Sequence, residues 1–188
     1  IRYQSQDILV YDNLMQCTPC HFNAISTKHY IQDWRFLLRR PQEALVLIDE
    51  LSQAADEAMR SQFWSNTKWK NKFFRPSARN LSFEDLRGLV VAGFNYPPSQ
   101  YQLHLQYFLA PLVPYQFQMV KEGKGFLYGR FFPVNYLRDI LAKAAAGQNV
   151  PGLNSETDME TIVAHFDALG IVYKQAHEQF LDQLQVSH

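Results

Sequence analysis

The sequence predicts an α+β fold, an antiparallel sheet with helices packed on it and a C-terminal helical extension. Three observations carry this. Short segments rich in β-branched and aromatic residues come in pairs around turns. Longer segments repeat apolar residues at three- and four-residue steps. Their order along the chain is strand–strand–helix–strand–strand–helices. The expected division is residues 1–120 for the sheet domain and 121–188 for the helical extension packed on the same core.

The first strand is expected in "DILVYDN" and the second in "HFNAIS", on either side of the turn "QCTPC". From Pro41 the pattern turns helical, with Leu45, Ile48, Leu51, Ala55 and Met59 on one side and Glu43, Asp49, Glu50 and Glu57 on others. "SNTKWKNKFFRPSARN" breaks that period and is basic and aromatic. "LRGLVVAGFNY" predicts a buried strand, "PPS" a turn, and "YQLHLQYFLAPLV" a further strand ending near Ala110, before Pro111 and Pro114. "VNYLRDILAKAA" is expected as a helix stopped by Gly147. A second helix is expected to open at Ser155, with acidic residues in its first turn and Gly170 at its stop, and "IVYKQAHEQFLDQL" as the last.

Composition narrows the function classes. The 188 residues are 47% hydrophobic and 14% aromatic, as in a globular chain with a sizeable core. Lys plus Arg and Asp plus Glu are 18 each, so no net field recruits nucleic acid or a membrane surface. No apolar run approaches membrane-spanning length, and "IRYQSQDILVYD" lacks a signal-peptide layout. Two cysteines make no disulfide framework, so a reducing, cytoplasmic setting is expected.

The stretch "SQYQLHLQYF" carries the most chemistry. In a strand, Gln102, His104 and Gln106 share one face and Leu103 and Leu105 the other, with the leucines packing inward. "YQLHLQYF" resembles the signature of the histidine triad (HIT-like) superfamily, His-φ-His-φ-His-φ-φ with φ apolar. It is nearest the branch whose third histidine is Gln, as in galactose-1-phosphate uridylyltransferases and the dinucleotide and GDP-sugar phosphorylases. "YPPS" and Tyr101 are similar to the Pro-Ser-x-Tyr turn of scavenger mRNA decapping enzymes. Upstream, "CHFNAISTKH" resembles the family's His-Phe-x-x-Ile-x-x-Lys-His segment, with the same interval from His21 to His29. The likeness spans residues 7 to 110.

The resemblance implies a nucleotide phosphoanhydride hydrolase or nucleotidyltransferase working through a nucleotidyl-histidine. A neutral imidazole is a competent nucleophile near pH 7, provided an acceptor holds its other ring nitrogen. Donors two residues away on the same face would meet the phosphoryl oxygens, where charge accumulates in the transition state. The implied catalytic set is His104 as nucleophile, Gln106 as phosphate donor, Gln102 as a brace and His21 on the pocket wall. Ser99, Tyr101, Lys28, His29 and Asn95 are the implied substrate-binding residues. The departure is Gln102, where the family has its first histidine, because an amide cannot change charge at neutral pH. A catalytically impaired nucleotide-binding or interaction protein is therefore the alternative. The partner is a nucleotide or nucleotide sugar, and a homodimer is the assembly implied.

No cofactor and no metal is expected. The alternative is structural zinc at Cys17 and Cys20, since Cys-x-x-Cys supplies two thiolates and His21 or His29 a third donor. "KWKNKFFRPSAR" has either a base-stacking or a packing role, and His165 and His177 fall in helical patterns.

Overall fold

The computed structural model describes residues 1–147 and 153–186. It shows an α+β architecture built on one six-stranded antiparallel sheet. The strands are β1 (Tyr3–Gln4), β2 (Ile8–Asp12), β3 (His21–Ser26), β4 (Val90–Asn95), β5 (Leu105–Leu109) and β6 (Phe131–Pro133), in the spatial order β1-β2-β3-β5-β4-β6. The helices are α1 (Pro41–Met59), α2 (Thr67–Phe73), α3 (Phe83–Arg87), α4 (Pro114–Lys121), α5 (Val134–Ala145), α6 (Met159–Ala168) and α7 (Tyr173–Val186). Among the described residues no helix is long and apolar enough to cross a membrane.

One face of the sheet is covered by α1 and α5. Pro41 opens α1 at its first turn, where a missing N–H costs nothing. Its stripe of Ala44, Ile48, Leu51, Ala55, Ala58 and Met59 is buried, whereas Leu45 is half-buried at the margin. Phe22 and Ala24 of β3 and Leu105, Tyr107 and Leu109 of β5 meet this stripe in the main core.

The other face is covered over part of its width. Phe180 and Leu184 of α7 and Val120 of α4 pack with Val91, Phe108 and Phe131 in a second cluster, joined by Cys17. Gly93 of β4 makes this possible: a Cβ there would stand 2.5 Å from Cζ of Phe131 and 2.6 Å from the Phe132 carbonyl oxygen. Beyond the aromatic cluster this face turns polar. The register pairs His21 with Phe108, Asn23 with Gln106 and Tyr11 with Asn23, so these side chains share it.

Several expectations need correction. The strand expected from Tyr101 begins at Leu105, and Gln102, Leu103 and His104 precede it. Segment 121–188 holds β6 as well as helices, so it completes the sheet rather than only lying on it. The helix expected from Ser155 starts at Met159, with the Asp158 side chain accepting from Thr161 N–H as its N-cap. The basic aromatic segment contains α2, capped by Asn66, and its Trp69 packs edge-on against Phe63, with ring centroids 5.1 Å apart.

Candidate functional site

The polar half of the second sheet face gathers Asn13, His21, Asn23, His104 and Gln106. β3 and β5 set this arrangement. Asn23 lies directly across from Gln106, and His21 and His104 lie on the same face in opposite directions along the strands. His104 is only 3% exposed and Gln106 6%. The stretch is therefore not a strand with one wet face. Leu103 and Leu105 pack into the main core as expected, while the polar side chains are sunk into the other face.

The His104 ring has a defined tautomer. Its Nδ1 lies 2.9 Å from the backbone carbonyl oxygen of Gln102, an atom that can only accept, so Nδ1 carries the proton. In the neutral ring Nε2 then keeps its lone pair. Nε2 makes no hydrogen bond with the described residues and is not sealed from solvent. Burial lowers the His104 pKa below the usual histidine value, and the bond to Gln102 only partly opposes this. The ring is thus neutral at pH 7, with no described residue bonded to its basic nitrogen.

His21 has a donor against each ring nitrogen, the Cys17 N–H at Nδ1 and the Asn13 amide at Nε2. The Cys17 backbone N–H donates to its Nδ1 at 3.2 Å, and the Cys17 sulfur sits at the same distance from that nitrogen. Burial pushes the His21 pKa down to about 4; hydrogen bonding to the Gln106 amide opposes that shift, and charge on His104 adds to it. The Gln106 amide makes no other hydrogen bond with the described residues. Asn13 Nδ2, 3.2 Å from His21 Nε2, donates to Asn23 Oδ1 at 3.0 Å, and Asn13 Oδ1 accepts from Met15 N–H. His21 and Gln106 thus lie on one face, with Asn13 and Asn23 beside them.

Gln102 does something else. Its side-chain NH₂ donates to the backbone oxygens of Ser26 and His29, both at 3.0 Å, and its oxygen accepts from Ile31 N–H at 3.4 Å. The expected brace beside His104 is a correction: the side chain turns away to the connection after β3. Only its main-chain carbonyl reaches the imidazole.

The expected substrate-binding residues are dispersed. Asn95, half-buried, ends β4 two residues beyond Gly93, which pairs with Gln106. Ser99 and Tyr101 are exposed in the bend before His104, which Gln100 ties to β2 by accepting from the Tyr11 hydroxyl at 2.9 Å. Lys28 and His29 line a 500 Å³ cavity with Ile31, Phe36 and residues of α1; His21, His104 and Gln106 do not line it. Lys28 faces Asp7 there at 3.8 Å.

Cys17 and Cys20 are both free and buried, but in different clusters, Cys17 beside α7 and α4 and Cys20 in the main core. Burial raises both thiol pKa values, that of Cys17 to about 12, so neither is a thiolate at neutral pH. Among the described residues no group of three or more His, Cys, Asp or Glu side chains is placed to hold a metal ion.

Sequence reasoning passed over Asn13 and Asn23, and gave Cys17 only as a zinc ligand. Asn23 was within reach of it, because a period of two sets it beside His21 in "HFNAIS". Asn13 and the Cys17 N–H depend on the path of the β2–β3 connection, which no local pattern announces. Compared with protein-family models, with curated proteins and with solved structures, the chain matches none.

Proposed function

We propose that this chain is a nucleotidyl hydrolase or transferase whose nucleophile is Nε2 of His104. The observation that carries the reading is the Nδ1–H of His104 held by the Gln102 carbonyl, which leaves a buried, neutral imidazole whose Nε2 lone pair has no partner among the described residues. That nitrogen attacks the α-phosphorus of a nucleotide. The new P–N bond forms as the bond from phosphorus to the leaving group breaks, and the leaving group departs with the electron pair. Water or a second phosphate then attacks the same phosphorus, the P–N bond breaks, and its electrons return to Nε2. The attacking group loses its proton to solvent or to the departing base.

Gln106 donates its NH₂ to a phosphoryl oxygen whose charge grows in the transition state. His21, hydrogen-bonded to that amide, steadies it. The substrate is a nucleotide phosphoanhydride, such as a nucleotide sugar or dinucleotide, or a nucleotide phosphoramidate. The inert-binder alternative rested on the missing first histidine. Against it stands the use of residue 102 through its carbonyl, which Gln supplies as well as His.

The test is a turnover panel of those substrate classes on the purified chain and on His104→Ala. Release of nucleoside monophosphate by the parent and none by a folded His104→Ala with retained nucleotide affinity supports the reading. Equal turnover in both removes it.

A further inference from the structure

The geometry points to Gln102 as the positioning residue of His104, a clamp that sets the nucleophile's tautomer by fixing its own carbonyl, and not as the remnant of a lost catalytic histidine. This inference rests on the reading of His104 as nucleophile, but its first readout does not.

Residue 102 lies outside the β-ladder. The last registered pair between β3 and β5 is Ala24 with Leu105, so no strand hydrogen bonds fix the peptide between 102 and 103. Its N–H side is held instead by the Leu103 N–H donating to the Ile31 oxygen at 2.6 Å. The Gln102 side chain then grips the same connection at three points, Ser26 O, His29 O and Ile31 N–H. Both amide hydrogens and the amide oxygen are used. Ser26 is itself fixed, since its hydroxyl accepts from the backbone N–H groups of Lys28 and His29 at 3.3 and 3.2 Å. The result is a rigid frame from the end of β3 to residue 102, with one group pointing the other way: the carbonyl that accepts from His104 Nδ1.

An imidazole at this position could not replace the clamp. It has one N–H when neutral and cannot donate to two carbonyls while accepting from a third group. Methionine would keep the volume and lose every bond. A glutamate would keep the acceptor for Ile31 N–H and oppose its charge to two carbonyl oxygens.

The experiment uses ¹⁵N-histidine-labelled protein, with ring-nitrogen NMR shifts read for parent, Gln102→Met, Gln102→Glu and Gln102→His, and His104 assigned by its loss in His104→Ala. The parent should show His104 as the Nδ1–H tautomer and the folded variants a shift toward Nε2–H. Thermal melts on the same samples separate this from general loosening, which lowers the midpoint without changing the tautomer. Where turnover is measurable, kcat should fall about 10–100-fold with KM little changed. A folded variant that keeps His104 fully Nδ1-protonated overturns the inference, as does Gln102→His with higher kcat than the parent. Turnover absent from every protein, with the tautomer shift present, would leave the clamp standing and remove the catalytic reading alone.

Discussion

Lowering the pH from 7.5 to 4.5 should strip stability from this protein, starting above the range in which its carboxylates titrate. In the folded chain burial holds the His21 pKa at about 4, whereas the unfolded chain presents an ordinary histidine that titrates near 6.5. Between those values the unfolded state binds a proton that the folded state refuses. Stability is therefore unaffected by His21 above pH 6.5, declines as the pH falls through the window, and levels off below about 4. The full depression is worth roughly 3 kcal/mol, a large part of the 5–15 kcal/mol typical of a folded domain. His104, also lowered by burial, acts in the same direction. Urea unfolding at half-unit pH steps measures this directly, and His21→Gln should flatten the curve between pH 6.5 and 4.5. Constant stability of the parent across that window would refute the burial of His21 as a neutral ring.

Two substitutions probe the site's construction. Gln106→Ala removes the proposed phosphate donor on the face it shares with His104, and should cost roughly 2.7–4 kcal/mol of transition-state stabilisation, read as a hundred- to thousandfold fall in kcat with a small change in melting temperature. Gly93→Ala should destabilise the fold by about 1–3 kcal/mol in chemical denaturation, because the new Cβ meets the Phe131 ring and the Phe132 carbonyl, and the latter is held in the β4–β6 pairing.

Much of the fold was legible because its larger elements follow one local rule each. The period of apolar residues after Pro41 marks α1, "VNYLRDILAKAA" coincides with α5, and "HFNAIS" coincides with β3. β1 and β6, two and three residues long, carry too few residues for any period, and α3 and α4 are short and flanked by loop-like sequence. The start of β5 was misjudged for a tertiary reason. Alternation continues back through Leu103 and His104, but the Leu103 N–H turns to the Ile31 oxygen, and the ladder stops at the pair Ala24–Leu105. For the site, strand periodicity was enough to group His104 with Gln106. It could not show that Gln102 turns its side chain to 26–31, because that depends on where the chain runs between β3 and α1.

The most direct test is to trap and map a nucleotidyl-protein adduct. The protein is mixed with a nucleotide carrying ³²P at the α-phosphorus, quenched in alkali, where a phosphorus–imidazole bond survives, and digested for mass spectrometry. The expected result is one acid-labile nucleotidyl group on the peptide containing His104, absent from folded His104→Ala. Label on another residue, or the same label in His104→Ala, would contradict His104 as the nucleophile, and a folded parent that takes no label from nucleotide sugars, dinucleotides or phosphoramidates would contradict the enzyme itself.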